Sequence, residues 1–335
     1  MLRSPDRATR RMAAPALLLA LALPLPAAAL PSAESILEEV GFSAADVQQV
    51  IGGEFVTTTL ATTSEREIAA AMAFLVTVPP SELMKDARKG LLLTTDPNTI
   101  SWGKLEGEGS LAQLAKLTLE PDRKRAKLYL GAKPGEDLNL SEAEIAGFKA
   151  LKGESAVLEQ VRKTLLGRYR AYRAKGLDGI ADYARGGGKT TPVGGDLRRA
   201  TEATTGLKKQ VPAFYNVLLG YPKEKGKGFE ERFDWSNYMA HGTATYVLTH
   251  RMAMPDGDGY VVAQRQFYAS RGYNTEQALA GFLPVKQGTV VVYLNRTSTD
   301  QVTGFGGGSK RSIGSRVMAS QLKDLFEKVR KKAEQ

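Results

Sequence analysis

Residues 243–254 read TATYVLTHRMAM, and alternate side chains of this segment would share one face of an extended strand. The turn-rich run PDGDG at 255–259 suits a short hairpin connection. Residues 260–270, YVVAQRQFYAS, predict the returning strand, and residues 289–297, TVVVYLNRT, predict a further one. Residues 278–284 between them predict another short strand, with a helix as the alternative. This part of the chain therefore predicts an antiparallel sheet.

A long amphipathic helix is predicted after these strands and a glycine-rich loop at 304–308, from about Ser312 to Lys332. Its apolar residues recur at helical spacing, at Met318, Leu322, Leu325 and Val329, with Ile313 and Phe326 beside them on the same stripe. Its other side is basic, with Arg316, Lys323, Lys328, Arg330, Lys331 and Lys332. A helix of this kind after antiparallel strands most simply lies across their sheet, which predicts an α+β fold in which the sheet grips the helix.

The first 29 residues have the pattern of a secretory signal peptide. Arginines at positions 3, 7, 10 and 11 precede an apolar run at 16–25, and Ala27, Ala28 and Ala29 offer a cleavage site. The pair Arg10 and Arg11 leaves a twin-arginine signal open, but the residues after it favour general secretion. We therefore expect cleavage after Ala29 and a mature protein, 30–335, in the periplasm or outside the cell.

The net charge and the lack of cysteine limit the kinds of partner and of catalytic or metal site that we expect. The chain has a net charge of +10, and about +7 without the leader. For an exported protein this charge favours anionic lipid, cell-wall polymer or an acidic ligand over nucleic acid as a partner, and the alternative is a solvated basic surface without a partner. There is no cysteine, so disulfides, thiolate metal sites and cysteine nucleophiles are excluded.

The segment before residue 90 predicts two strands and a helix. Residues 54–60 have strand character, and 67–78 alternate strictly between apolar and small or polar side chains, although their alanines also suit a helix. The strand interpretation is favoured because 76–80, VTVPP, ends the run in an extended conformation. Ser81 could then cap a helix to about Lys89.

This strand, the V-x-V-P step and the following helix resemble the opening of the helix-grip domains of the START and polyketide-cyclase superfamily. The strands and the long helix of the second half are also similar to that fold, so the resemblance covers roughly 54–90 and 243–332. It implies a ligand cavity between sheet and helix and brings no catalytic motif. Residues 137–141 and 265–270 are similar to segments of exported bacterial proteins without an assigned function.

The middle of the chain, 91–240, is predicted to be a largely helical insertion or subdomain. Its longest predicted helix is 154–175, in which Val157, Val161, Leu165 and Tyr169 form one stripe. Residues 186–195 are rich in glycine and predict a loop.

Two glycine-rich stretches resemble phosphate-binding motifs in part. Gly188-Lys189-Thr190 lacks the glycine of a P-loop five positions earlier, where Tyr183 stands. The stretch 304–309 fails as a dinucleotide fingerprint because its last required glycine is Ser309. A simpler anion site remains open, formed by Gly306, Gly307, Gly308, Lys310 and Arg311 at the start of the last helix, the alternative being glycines that only permit a bend.

No catalytic, metal or cofactor motif stands out. The two histidines, His241 and His250, do not form a metal-binding pattern, and no nucleophile-elbow sequence occurs. We therefore predict no metal and no cofactor.

Polar residues inside the predicted strands are the best candidates for ligand contacts. They are Arg265, His250, Tyr268, Tyr293, Tyr246 and Asn295. If the sheet encloses a cavity, these side chains could orient an amphipathic molecule between apolar walls. If it does not, they lie on the outside of the sheet, because alternation alone does not say which face is inside.

The leading hypothesis is therefore an exported protein that binds a hydrophobic or amphipathic, lipid-like molecule without transforming it. The first alternative is a cell-envelope interaction protein that uses a basic surface on anionic lipid or cell-wall polymer. The second is an enzyme whose residues converge only in the folded chain.

Overall fold

The computed structural model describes residues 32–120, 124–135, 137–240 and 242–335. The predicted signal peptide and its cleavage site lie outside these residues, as does His241. The described residues belong to one compact unit. No helix within these four ranges combines the length and the apolar character needed to cross a bilayer.

The chain is α+β, as predicted. Its helices are α1 (Ala33–Val40), α2 (Ala44–Ile51), α3 (Pro80–Arg88), α4 (Leu91–Thr95), α5 (Arg125–Leu130), α6 (Glu142–Lys149), α7 (Glu154–Lys175), α8 (Val193–Glu202), α9 (Thr205–Gln210), α10 (Pro212–Gly220) and α11 (Gly307–Ala333). Its strands are β1 (Val56–Thr59), β2 (Glu67–Val76), β3 (Thr99–Leu105), β4 (Tyr183–Ala184), β5 (Thr190–Thr191), β6 (Glu230–Ala240), β7 (Thr243–Asp256), β8 (Gly259–Ala269), β9 (Thr275–Val285) and β10 (Gly288–Ser298).

Eight of these strands form one antiparallel sheet in the order β1-β2-β10-β9-β8-β7-β6-β3. The strands from β6 to β10 follow one another as hairpins, which explains why their sequences alternate so clearly. The early strand β2 closes the set by pairing with β10, in a register that places Met72 opposite Tyr293. The strands predicted at 67–78, 243–254, 260–270, 278–284 and 289–297 are confirmed.

The sheet separates two layers of helices. One face packs against α3, α4 and α11 through Phe74, Val291, Tyr293 and Phe282, and we call it the groove face. The opposite face, which we call the packed face, lies under α1 and α2 at one end, α10 in the middle and α7 at the other end. Side chains of each strand alternate between these two faces.

Helix α11 lies on the groove face, as predicted. Phe326 packs on Phe74 and Tyr293, with ring centroids 5.3 and 4.7 Å apart. The helix begins at Gly307, five residues before the predicted start, because Gly304 and Gly306 adopt positive φ angles of 73° and 72° and turn the chain into it.

Helix α3 follows β2 after the predicted proline step. The predicted cap Ser81 lies inside the helix instead, because Pro79 is extended (φ −66°, ψ 156°) and Pro80 takes the first helical position. Proline suits that position, since its missing N–H would have no helical partner there.

The largely helical middle segment lies between β3 and β6. Helix α7 has the predicted bounds, 154–175. The predicted range 91–240 also contains β3 and β6 themselves, which pair with each other in the main sheet. Strand β6 is not predicted from the sequence. Its Trp235 lies against Gly103 of β3, where a Cβ atom would come within 2.7 Å of the indole nitrogen.

Candidate binding groove

A cavity of about 390 Å³ lies between the groove face and the helices that cover it. Its walls come from strands of the sheet and from α3, α4 and α11, and they are mainly apolar. The charged residues that line it are Arg88, Lys104, Glu106, Glu230, Glu231, Arg232, Arg251 and Arg330. The apolar residues that line it include Phe74, Val76, Leu83, Met84, Val262, Phe282, Phe326 and Val329. The alternation of β2, β8 and β9 places these strand residues on one face, and the apolar sides of α3 and α11 close over them.

The space continues along α11. A small cavity of about 120 Å³ shares Arg251, Gln264, Tyr293 and Phe326 with the apolar cavity. A third, of about 670 Å³, adjoins the small one. The residues that these two share include Tyr238, Gln266, Tyr273, Glu276, Asn295, Leu322 and Leu325. We call the three cavities together the groove. The share of polar lining is larger in the two cavities beside residues 314–328 of α11 than in the apolar cavity at the α3 end.

A ladder of hydrogen bonds crosses the floor of the groove from β7 to β9. Arg251 donates to Oε1 of Gln264. Gln264 donates from Nε2 to Oε1 of Glu276 at 3.2 Å, and Gln266 donates to the same oxygen at 3.0 Å. Tyr273 donates its hydroxyl proton to Oε1 of Gln266. We call these five residues the polar ladder.

Asp234 of β6 fixes one end of this ladder. Its Oδ2 accepts from Arg251 Nε at 2.7 Å and from Arg232 Nε at 3.2 Å. The carboxylate is 1% exposed, so its negative charge is shared by two cations away from bulk water. This arrangement holds the Arg251 side chain in place at the junction of the apolar and polar cavities.

Glu276 is the carboxyl group at the centre of the polar ladder. Burial raises its pKa, and hydrogen bonds from Asn295 and Gln264 oppose that effect only in part. Burial also raises the pKa of Tyr293 and Tyr273, helped by the nearby charge of Glu276. Both phenols therefore keep their protons at neutral pH and can donate hydrogen bonds.

Two of the six predicted contact residues line the groove. Tyr293 lines both the apolar and the small cavity, and Asn295 lines the two polar ones. They are linked, since Asn295 Nδ2 donates to the Tyr293 hydroxyl at 3.3 Å. Thr297 in turn donates to Asn295 Oδ1 at 2.8 Å, which orients the amide.

The other four lie on the packed face. Arg265 is completely buried and donates to Gln277 at 2.9 Å, to the carbonyl of Leu218 at 2.8 Å and to the Tyr172 hydroxyl at 3.2 Å. These acceptors belong to β9, α10 and α7, so the guanidinium ties the sheet to the helices above it.

His250 is equally buried. The Tyr172 hydroxyl lies 3.0 Å from its Nδ1, and its Nε2 lies 3.2 Å from Glu231. Burial lowers the pKa of His250 to about 4, although Glu231 opposes this. The imidazole is therefore neutral at pH 7, which fits a ring stacked on Phe233 with centroids 4.2 Å apart.

The two tyrosines among these four are also core residues. Tyr246 donates to the carbonyl of Thr118 at 2.7 Å, and the guanidinium of Arg125 lies 3.9 Å from its ring centre. Tyr268 lies under Arg168, 4.4 Å from the guanidinium carbon. The idea that all six residues share one pocket is thus corrected, because the sheet separates Tyr293 and Asn295 from the rest.

A β-bulge explains part of this division. The register of β7 and β8 shifts between Leu248 and Thr249, so that Tyr268 pairs with Leu248 while Gln266 pairs with Thr249. Phe267 and Tyr268 then both join the packed-face core, and Arg265 lies on the same side. Strict alternation would have placed Arg265 and Tyr268 on opposite faces.

The predicted anion site lies at the start of α11. Gly306, Gly308 and Lys310 are exposed there, and Gly307 is buried. Arg311 donates to the carbonyl of Glu65 at 3.2 Å. Anion binding at this loop stays a prediction.

Arg251, Gln264, Gln266, Glu276 and Tyr273 are not among the site residues predicted from the sequence. A signal for them exists, because Gln264 and Gln266 flank the predicted Arg265 and would point to the opposite face of the strand. Without β6 and its Asp234, nothing indicated that this second set of side chains faces a cavity.

Comparisons with protein-family models, with curated proteins and with solved structures found nothing that matches this chain. Within the described ranges, no three histidine, aspartate or glutamate side chains are grouped so that they could hold a metal ion.

Proposed function

We propose that this protein binds a hydrophobic or amphipathic, lipid-like small molecule in the groove and does not transform it. The observation that carries the proposal is the apolar cavity of about 390 Å³ that opens onto the polar ladder. Small-molecule sites typically have volumes of roughly 300–1,000 Å³, apolar walls and a few convergent polar groups.

The two ends of the groove suggest how such a molecule would lie. Its apolar part would occupy the space lined by Phe74, Leu83 and Phe282. Its polar group would reach Tyr293 and the polar ladder, which supply both hydrogen-bond donors and acceptors to the lining. An apolar tail at the ladder would exclude water from polar groups that are not fully paired within the ladder, so the reverse orientation is disfavoured.

The architecture supports the proposed kinship with helix-grip proteins of the START and polyketide-cyclase type. Three features that carried the resemblance recur in the folded chain: the proline step from β2 into α3, the run of antiparallel strands, and the long last helix on the sheet. We also propose export to the periplasm or beyond, which rests on the pattern of residues 1–29.

A second function is favoured by one observation. Glu276 is a carboxyl group in the wall of the groove, and its surroundings raise its pKa. Carboxyl groups of this kind serve as acids or bases in many enzymes, so acid–base chemistry on the bound molecule is the alternative.

The proposal can be tested by native mass spectrometry of the protein purified from its own cells, followed by organic extraction. We expect a co-purifying molecule in the wild type and its loss in Ala280→Phe, because Ala280 lines the apolar cavity. The matched control is Ala146→Phe, since Ala146 is exposed on α6 and lines none of the cavities. An apo mass for the wild type, with no uptake from a total lipid extract, would contradict the proposal.

The same extraction separates binding from catalysis. A binder yields the same molecule from the wild type and from Glu276→Gln. An enzyme that uses Glu276 yields product from the wild type and unchanged substrate from the variant.

A further inference from the structure

Large apolar side chains are exposed together at the start of α11. Phe305 is 102% exposed, Ile313 55% and Val317 46%. Only two other large apolar side chains of the described residues are comparably exposed, Ile100 and Leu111, at 40% and 39%. We call Phe305, Ile313 and Val317 the apolar patch.

Helix geometry brings two of these three residues, Ile313 and Val317, to one side of α11. Ile313 and Val317 are four positions apart, so they lie one turn apart on the same face of α11. Phe305 precedes the first turn, in a loop between Gly304 and Gly306, both at positive φ. No hydrophobic core cluster of the described residues includes these three side chains.

The surroundings of the apolar patch are cationic. Residues 301–323 contain Lys310, Arg311, Arg316 and Lys323 and no aspartate or glutamate. Lys310 and Arg316 are exposed beside the patch. The acid just before this stretch, Asp300, is mostly buried and paired with Arg185 at 2.9 Å, so it does not cancel the surface charge.

We propose that the apolar patch and its cations form a docking surface for an anionic phospholipid bilayer. Exposed apolar side chains bordered by lysine and arginine favour the interface of a membrane, where rings enter the headgroup region and cations meet lipid phosphates. A lone phenylalanine projecting from a glycine loop suits a fluid interface, whereas a folded protein partner needs a broader complementary surface. This inference uses residues outside the polar ladder and does not depend on ligand binding.

The patch adjoins the groove. Val317 lines the cavity of about 670 Å³, together with Gly314 and Met318 of the same helix. Docking would therefore bring the polar end of the groove to the surface of the bilayer. A lipid-like molecule could then pass between membrane and groove with a short exposure of its apolar part to water.

Vesicle sedimentation of the purified chain tests the proposal. We expect binding to vesicles of phosphatidylglycerol and phosphatidylcholine, and little binding to pure phosphatidylcholine. The double variant Phe305→Ser/Ile313→Ser should lower the partition coefficient about tenfold or more, because it removes the side chains that enter the interface. Lys310→Glu/Arg316→Glu should abolish the preference for anionic vesicles.

Leu111→Ser is the matched control, because Leu111 is an exposed apolar side chain elsewhere on the chain. It should bind vesicles like the wild type. All the substituted residues are exposed, so the thermal unfolding midpoints should stay unchanged and show that each variant is folded. Wild-type binding that is absent, or unaffected by Phe305→Ser/Ile313→Ser, overturns the proposal. A dimer in sedimentation velocity that this double variant dissolves would assign the patch to a second copy of the chain instead.

Discussion

The two faces of the sheet carry similar side chains and use them differently. On the packed face, Arg265 and His250 are completely enclosed, and each has protein partners. On the groove face, Arg251 and Glu276 line a cavity. The difference shows that a polar residue in a strand indicates a site only when the layer above it leaves space.

The largest difference in the free energy of unfolding is expected between substitutions of Arg265, on the packed face, and Arg251, on the groove face. Arg265→Met should lower the free energy of unfolding by about 4 kcal/mol, because it leaves the Leu218 carbonyl and the Gln277 amide without their donor in a closed core. Arg251→Met should cost only about 1–2 kcal/mol, since Arg232 still pairs with Asp234. Urea denaturation measures both, and equal losses would contradict the comparison.

The next largest difference in stability is expected when an alanine on each face is replaced by phenylalanine. Ala73→Phe, at a fully buried position of the packed face, should cost about 3 kcal/mol by overpacking. Ala280→Phe places the same ring into the apolar cavity and should cost less than about 1 kcal/mol. Thermal unfolding of the two variants measures this difference. A larger loss of stability for Ala280→Phe than for Ala73→Phe would mean that the cavity cannot hold the added ring.

The pH dependence of stability should report on His250. Its pKa is about 4 in the folded chain and about 6.5 for an unperturbed imidazole, so the unfolded chain binds more protons between these values. The free energy of unfolding should therefore fall by about 2 kcal/mol from pH 7 to pH 5.

His250→Gln should be less stable at pH 7 but should lose most of this dependence. Burial raises the pKa of Glu231, but hydrogen bonds with His250, Lys225 and Tyr221 outweigh burial and lower this pKa to about 2. The contribution of Glu231 therefore falls in a more acidic window, below about pH 4.5. An unchanged slope between pH 7 and pH 5 in the variant would show that another group titrates there.

The smallest change in the free energy of unfolding is expected for an ion pair at the rim of the groove. Arg88 of α3 and Glu230 of β6 form an ion pair of 2.8 Å, with both side chains about half exposed. Arg88→Gln should change the free energy of unfolding by about 0.5 kcal/mol or less, and salt should remove the difference. A larger loss that persists in high salt would indicate that this pair closes the groove structurally.

Sequence patterns predicted those elements whose signal is local. Strands β7, β8 and β10 alternate over ten residues or so, and α7 and α11 keep an apolar stripe, so each could be read without knowing its neighbours. Strand β6 was missed although it is an inner strand, because its run FDWSNYM mixes polar and apolar residues on both faces. Among the site residues, Tyr293 and Asn295 were selected, and Arg251, Gln264 and Glu276 were not.

The sequence by itself determined the α+β class, the long helix across the sheet and the two alternating sets of side chains in each strand. Only the tertiary structure decided which set faces the groove, because that depends on helices far away in the chain. Helices α7 and α10 fill the space above Arg265, whereas α3, α4 and α11 leave space above Gln264. Alternation with a period of two divides the side chains of a strand into two sets but does not say which set faces a cavity. The helices that cover each face decide that.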